Sequence, residues 1–347
     1  MFWHFIRTLA KEEPLGFLLV VATTASLVVD AVIRPSFEVI RLLPVAFLGV
    51  YLWVHLKNVW RLARQTYESV PIPYSICLAQ TNEWYRSALR QQEDKLRKLG
   101  VPWEGIKRSF RLHRLDWSFF DETRLTDKPE HWLDTANRVH SHFGGLADRV
   151  ELQTIYHIFL VTPAPIALAV GARAGRRIPY VLYQHAGSVR DPYTEVCNMA
   201  EIASEEGYHL LNERVSTFEM INVGQEPQHD AEVGVGDKVL MVWNFTGHKL
   251  PKPYPDCGAV LTVNLSLKGM EGHIPLGKSW MSLAREIASA TFKYLDQGAE
   301  VHVLPGIPST LAFMVGSILG TTNSLHIHYY NKAINGYHRT FSLDELH

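Results

Sequence analysis

The chain reads YHIFLVTPAPIALAVG at residues 156–171 and VHVLPGIPSTLAFMVG at residues 301–316. In each stretch a histidine is followed six residues later by a proline, and then by an alanine and a glycine at intervals of four residues. The two histidines, His157 and His302, stand 145 residues apart. Because four residue types repeat at the same spacing, the pattern predicts that one structural unit occurs twice in the chain.

The sequence around each copy predicts the same order of strands and helices. Continuous apolar runs, typical of strands buried on both faces of a parallel sheet, precede and follow each copy. This order predicts an α/β fold of two fused Rossmann-like halves, at about 74–190 and 237–347. The predicted strands are residues 74–80, 154–161 and 180–184 in the first half, and 238–245, 299–307 and 325–331 in the second.

Three local features of these halves are also predicted. SVPIPY, residues 69–74, holds two prolines and predicts a linker. Residues 82–100 predict a helix with Asn82 as its cap and Gly100 at its end. Residues 259–267 predict one more strand, with a hairpin pairing to 238–245 as one option.

Composition excludes several classes of function. The 347 residues carry a net charge of −1, so no overall positive field draws the chain to DNA. Three scattered cysteines are too few for a disulfide framework or a zinc-cysteine site, and we predict no metal. The chain also lacks a G-x-G-x-x-G turn after a strand, a P-loop and a G-x-S-x-G elbow, which argues against the common nucleotide-dependent enzymes and hydrolases.

The first 68 residues predict a transmembrane hairpin. Two apolar stretches, at about 15–33 and 42–60, are separated by a short loop. The first would span about 28 Å as a helix, close to the hydrocarbon thickness of a bilayer. Five Lys and Arg flank the hairpin and two lie in its loop, which predicts that both termini are cytoplasmic. Residues 69–347 would then form a cytosolic domain, and the alternative is a buried hairpin in a soluble protein.

Each repeated motif places a helix start at the carboxyl edge of a parallel sheet. Pro163 and Pro308 suit the first position of a helix, because an N–H there has no helical partner. Ligands bind at this edge in open α/β sheets, and helix N-termini attract anions, phosphates above all. Two such units facing each other would form one pseudo-symmetric pocket. The structural alternative is that the small residues Ala167, Gly171 and Gly316 only let each helix pack close to its sheet.

The repeated pattern resembles the SAVED sensor domain. The first copy contains His157, Phe159, Pro163, Ala167 and Gly171, and the second departs from it only at Leu304, where phenylalanine is expected. The resemblance covers about 70–347. It implies two fused CARF-type halves that bind a cyclic di-, tri- or tetranucleotide, made by a separate nucleotidyltransferase, without catalysing a reaction or needing a cofactor.

The N-terminal hairpin is similar to that of the transmembrane-SAVED effectors of CBASS anti-phage systems. That resemblance implies a multi-pass protein of the inner membrane, with both termini cytoplasmic. On binding its messenger, such a protein would form a homo-oligomer and disrupt the lipid bilayer during abortive infection. Two alternatives remain open, a membrane-tethered Rossmann-like nucleotide-processing enzyme and a ring nuclease that degrades the messenger. A type III CRISPR context is also open.

The predicted binding residues lie at strand ends and helix starts. Trp84 and Tyr330 are candidates for stacking on bases, because aromatic faces favour such contacts. The other candidates would contact the phosphates and base edges. They are Thr81, Asn82, Thr162, Pro163, Ala164, Gln184, Thr246, Lys249, Pro308, Ser309, Thr310, Asn331 and Lys332.

Overall fold

We describe the fold from a computed structural model of the chain. It divides the chain into two units, Met1–Glu68 and Ser69–His347. The predicted membrane spans, 15–33 and 42–60, lie outside the described residues. Among the described helices, none combines the length and the apolar character needed to cross a bilayer. The structure describes residues 70–78, 80–123, 125, 130–150, 154–174, 178–185, 192–199, 214–225, 233–245, 250–266, 274, 280–332 and 334–346.

The first half is a five-stranded sheet with the order β2-β1-β3-β4-β5, in which only β5 is antiparallel to its neighbour. Its strands are β1 (Val70–Leu78), β2 (Ser118–Asp121), β3 (Thr154–Val161), β4 (Tyr180–His185) and β5 (Tyr193–Asn198). Its helices are α1 (Asn82–Lys98), α2 (Trp103–Ser109), α3 (Arg114–Trp117), α4 (His131–Arg149) and α5 (Ala164–Ala174).

The second half is a six-stranded sheet with the order β11-β10-β9-β7-β8-β6. Its strands are β6 (Ile221–Gln225), β7 (Lys238–Asn244), β8 (Ala259–Leu265), β9 (Glu300–Gly306), β10 (Leu325–Asn331) and β11 (Gly336–Ser342). Its helices are α6 (Trp280–Leu295), α7 (Ser309–Leu319) and a short 3₁₀ helix, Leu343–Glu345. Because β8 lies parallel to β7, it is not the hairpin partner that the sequence left open. Its antiparallel neighbour is β6.

The predicted linker at residues 69–74 is wrong, because β1 begins at Val70. The prolines that suggested a linker, Pro71 and Pro73, face β3 on one side, whereas pairing with β2 begins only at Ser75. A proline cannot donate to a sheet ladder, so it is tolerated where one side of the strand is unpaired. The two prolines therefore occupy the part of β1 that forms an edge.

The two halves repeat each other residue by residue around the motif. Strands β8-β7-β9-β10-β11 have the same order as β2-β1-β3-β4-β5. Tyr156 pairs with Tyr180 in the first sheet, and Val301 pairs with Leu325, each 145 positions later, in the second. The pairing of β4 with the antiparallel strand β5 shifts register after Leu182. The pairing of β10 with β11 shifts at the equivalent position, after Ile327. The predicted duplication of a Rossmann-like half is thus confirmed.

The repeated glycines bring α5 and α7 into contact with each other. A Cβ atom on Gly171 would lie 2.0 Å from the carbonyl oxygen of Phe313, and one on Gly316 would lie 2.1 Å from that of Leu168. Phe313 is the counterpart of Leu168 in the repeat, so the two contacts are related by the same pseudo-symmetry. We predicted that these glycines let each helix approach its own sheet, but the structure places the backbone of the other helix there.

We expect Gly171→Ala and Gly316→Ala each to lower the free energy of unfolding by about 1–3 kcal/mol, because backbone atoms must move to admit the methyl group. Gly145→Ala is the matched control. Gly145 lies in α4, is exposed and has no atom within 4 Å of its Cβ position. That variant should raise the free energy of unfolding by about 0.4–1 kcal/mol. Urea denaturation measures all three, and a Gly316→Ala variant as stable as wild type would contradict the close helix contact.

Candidate functional site

The two motif helices begin next to each other, at a seam between the two halves. The hydroxyl of Ser309 donates to the carbonyl oxygen of Thr162, with 2.5 Å between the two oxygen atoms. The hydroxyl of Thr310 donates to the side-chain oxygen of Gln184 over 2.8 Å. The start of α7 is therefore hydrogen-bonded to the ends of β3 and β4. Four residues predicted for the site are brought together here.

The seam is pseudo-symmetric in its backbone but not in its side chains. The counterparts of Ser309 and Thr310 in the first half are Ala164 and Pro165, which carry no hydroxyl. Ala164 is 8% exposed and lies at the start of α5, whereas Ser309 is half-buried. The polar contacts of the seam thus come from α7.

The starts of α5 and α7 are electrostatically suited to an anion. The first N–H groups of a helix have no intrahelical acceptor and carry a partial positive charge. Pro163 and Pro308 directly precede the two helices, and their carbonyl groups accept the first helical hydrogen bonds. The hydroxyl oxygen of Thr162 is buried, and no described residue hydrogen-bonds to it. A buried hydroxyl without a partner is costly, so it is a natural contact for a bound ligand.

The candidates after β1 have a local structural role. Thr81, not Asn82 as predicted, caps α1, and its hydroxyl oxygen accepts the backbone N–H of Trp84 at 3.3 Å. The same edge of the sheet holds these residues and Thr162, because Cys77 pairs in parallel with Val161 near the ends of β1 and β3. Thr81 and Asn82 are exposed and the Trp84 side chain is half-buried.

Five further candidates lie after β7 or at the end of β10. Thr246 and Lys249 lie outside the described residues. Tyr330 packs its ring on Tyr337 at 5.3 Å, and its hydroxyl donates to Asn335 over 2.6 Å, so its role as a base-stacking residue stays a prediction. Asn331 is buried at the end of β10 and Lys332 is exposed in the turn that follows.

One residue at the contact between the two halves was missed by the sequence analysis. Tyr180, which is fully buried, belongs to the first sheet but contacts α7 of the second half. Its ring meets Phe313 edge-on at 5.1 Å between centroids, and its hydroxyl lies 3.4 Å from that of Ser317. The only sequence signal was its position at the start of a strand that follows the motif helix.

A basic cavity lies beside α1, α2 and α3, and none of the seam residues lines it. Its volume is about 380 Å³. Lys107 and Arg114 line it together with Arg86 and Arg90. Lys107 is held by Glu93 at 3.0 Å and by Glu104 at 2.7 Å, so part of its charge is balanced.

The motif histidines are buried hydrogen-bonded residues. His157 lies 2.9 Å from the hydroxyl of Tyr183, and His302 lies 2.8 Å from the ring nitrogen Nε2 of His328, which is the counterpart of Tyr183. Burial lowers the pKa of His157 from 6.5 to about 4. It also lowers the pKa of His328, to about 3. These rings are therefore neutral in the folded protein at neutral pH.

The fold is similar to that of SAVED/CARF-domain receptors. One neighbour is the Acinetobacter baumannii Cap4 SAVED/CARF-domain containing receptor with the cyclic trinucleotide 3'3'3'-cAAA, at 13% identity and a TM-score of 0.44. It is matched over 85% of this chain and 56% of that chain. The Moraxella osloensis Cap4 receptor is matched at 12% identity and a TM-score of 0.42, over 85% of this chain and 54% of that one.

The chain thus spans little more than half the length of these solved receptors. No protein-family model and no curated protein matches the sequence.

We expect His157 to make stability depend on pH. An unfolded histidine binds a proton near pH 6.5, but the folded one does so only near pH 4. Protons therefore favour the unfolded chain in this window, and stability falls as pH is lowered through it. In His157→Gln the slope of the unfolding free energy between these pH values should be shallower by up to about 1.4 kcal/mol per pH unit.

Urea denaturation at a series of pH values measures this slope. Tyr183→Phe is the control, because it removes the hydrogen bond but leaves His157 buried and able to ionise, so the slope should stay as in wild type. A wild-type slope in His157→Gln would mean that His157 is already protonated in the folded protein.

Proposed function

We propose that residues 69–347 form a sensor that binds a cyclic oligonucleotide at the seam between the two halves. The observation that carries this proposal is the pair of hydrogen bonds, Ser309 to Thr162 and Thr310 to Gln184, that joins the start of α7 to the ends of β3 and β4 across the seam. A ligand bound here contacts both halves at once. Its binding is therefore coupled to the angle at which the halves meet.

The ligand class follows from the chemistry of the seam and from the SAVED resemblance. The start of α7 presents N–H groups to an anion, and the start of α5 adds the N–H of Ala164. Pro165 has no N–H, and the next two N–H groups of α5 donate to Pro163. Phosphates are the anions that helix starts bind most often. A ligand that spans a pseudo-two-fold axis is expected to repeat its own charged groups. A cyclic di-, tri- or tetranucleotide meets this condition, since its phosphates recur around a ring. A separate nucleotidyltransferase would supply it.

The seam favours binding over catalysis. The side chains that its hydrogen bonds bring together are hydroxyls and an amide, and none of them ionises near neutral pH. A ring nuclease or other nucleotide-processing enzyme needs an acid, a base or a metal beside the scissile bond. Incubation with labelled cyclic oligonucleotides separates the functions, because a sensor retains the messenger intact and a nuclease releases linear products.

We further propose that the N-terminal hairpin makes the protein an inner-membrane effector. Two helices cannot enclose an aqueous channel, so several copies must assemble to disrupt the bilayer. The messenger can drive assembly only if it binds the associated form more tightly than the free form. Fixing the angle between the halves is one way to create that difference in affinity, because it changes the surface that each copy presents to the next.

Ser309→Asp should weaken messenger binding about ten- to hundredfold, a loss of about 1–3 kcal/mol. The new carboxylate occupies the helix start that the phosphate needs and repels it. The carboxylate cannot donate to the carbonyl oxygen of Thr162 as the serine does, so that contact is lost. It is favourable for the helix start itself, and circular dichroism checks that the fold persists. Fluorescence anisotropy across cyclic di-, tri- and tetranucleotides identifies the cognate messenger and measures its affinity.

Ser141→Asp is the matched control for that variant. Ser141 is exposed on α4, so the substitution adds the same charge on a helix away from the seam. It should leave the affinity unchanged. Equal affinities of the Ser309→Asp and Ser141→Asp variants would exclude the seam as the binding site.

Liposomes that carry the full-length protein should release an enclosed dye only when the cognate messenger is added. Protein lacking residues 1–68 should bind the messenger without causing release, because the proposed membrane hairpin is missing. Ser309→Asp should shift the messenger concentration needed for release by the same factor as it shifts affinity. Release without messenger, or messenger-induced assembly on intact liposomes, would contradict the effector mechanism.

A further inference from the structure

The second half contains a cluster of metal-binding side chains at the opposite end of its sheet from the seam. Glu300 and His302 lie on β9, and His326 lies beside them on β10. One ligand atom from each of the three residues comes within 4.8 Å of the other two. Glu300 lies six residues before the end of β9, which is about 20 Å from the seam along the strand. The cluster is therefore separate from the proposed messenger site.

The geometry suits a tetrahedral metal ion. The nitrogen Nε2 of His302 lies 2.9 Å from the carboxylate oxygen Oε1 of Glu300, and that of His326 lies 3.7 Å from the same oxygen. Ligand atoms around a tetrahedral zinc ion, each about 2.1 Å from the metal, are about 3.4 Å from one another. The two distances to Glu300 reach that value with shifts of about 0.5 and 0.3 Å. The third pair, the two imidazole nitrogens, lies within 4.8 Å.

The equivalent strand positions of the first half carry no such cluster. His157 is the counterpart of His302 and has the same degree of burial, 8% exposed. The counterparts of Glu300 and His326 are Ile155 and Val181, as the pairing of His157 with Val181 and of His302 with His326 shows. Both halves thus carry a histidine at this place, but the first half folds with neither the glutamate nor the second histidine.

His326 also lacks an ordinary structural role. Its Nε2 is 3.7 Å from Glu300, beyond hydrogen-bond distance, and its Nδ1 is buried with no hydrogen-bond partner among the described residues. Its side chain is only 15% exposed. Coordination through Nε2 would give this largely buried ring a polar partner, while its Nδ1 would stay without one.

The surroundings would help to hold a metal at His302. Its second ring nitrogen, Nδ1, lies 2.8 Å from His328, and a metal-bound histidine usually makes such a hydrogen bond through its other nitrogen. Lys238 approaches Glu300 to 3.6 Å but is 54% exposed, so its flexible side chain can move into water when a cation binds.

We propose that Glu300, His302 and His326 bind one divalent transition-metal ion of the zinc class, which ties β9 to β10. Two imidazoles and one carboxylate form a ligand set that zinc accepts, with water in the fourth position. The half-exposed carboxylate of Glu300 leaves the site open to solvent on one side.

Untagged full-length protein, stripped with a chelator, is titrated first with Co²⁺ and then with Zn²⁺. One equivalent of Co²⁺ should give the intense visible absorption of a tetrahedral site, and Zn²⁺ should abolish that absorption. The affinity for Zn²⁺ is measured by competition with a chromophoric chelator. The double variant Glu300→Ile/His326→Val carries the residues of the first half at these positions and should no longer bind this one equivalent of metal ion. Glu300→Gln, which keeps the shape of the side chain, should bind Zn²⁺ about tenfold or more weakly.

His157→Gln is the control, because it removes the equivalent buried histidine of the first half and should leave the metal stoichiometry at one. Circular dichroism verifies the folding of each variant, and Glu300→Gln supplies the test if the double variant does not fold. The proposal is overturned if wild type shows no tetrahedral Co²⁺ spectrum. It is also overturned if the Glu300 variants bind Zn²⁺ as tightly as wild type, or if His157→Gln loses the metal equally.

Discussion

The backbone contact between α5 and α7 sets the position of the whole seam. Gly171 and Gly316 let carbonyl groups of the opposite helix occupy the space where a side chain would begin. Only helices that approach so closely can place the start of α7 within hydrogen-bond reach of β3 and β4. The proposed ligand site thus depends on two residues that carry no functional group. A larger residue at either glycine would push the two helices apart and so weaken these hydrogen bonds.

Local patterns in the sequence predicted which segments of each half form strands and helices. They predicted less well which strands pair and which elements pack together. The spacing of the motif gave the strand, helix and strand of both halves, because period and turn chemistry are local properties. Pairing is not local, so the parallel placement of β8 beside β7 and the one-sided pairing of Pro71 and Pro73 were not predictable. The same limit explains the glycines. Their small size was evident, but whether a sheet or another helix lay against them depends on the other half of the chain.

The candidate site was predictable to a similar extent. The rule that ligands bind at strand ends and helix starts selected Thr162, Gln184, Ser309 and Thr310, and the structure brings all four to the seam. The rule could not tell them from Thr81, whose hydroxyl caps its own helix. A hydroxyl at a helix start can serve either its own backbone or a distant partner. Sequence spacing does not distinguish these uses, because the partner at the seam is more than a hundred residues away.

Residues that are the same in both halves build the shared scaffold, whereas residues that differ can serve a function of one half alone. The motif histidine, proline, alanine and glycine are the same in both halves and occupy equivalent places. At the positions that differ, the fold accommodates either an apolar or a polar residue. Examples are Ala164 and Ser309 at the seam, and Ile155 and Glu300 at the far end of the sheet. Each polar residue in these pairs belongs to the second half, where it makes a contact that the first half lacks. Since the scaffold forms without the polar choice in the first half, stability alone does not account for that choice in the second. A bound ligand at the seam and a bound metal ion beyond it would each supply the missing reason.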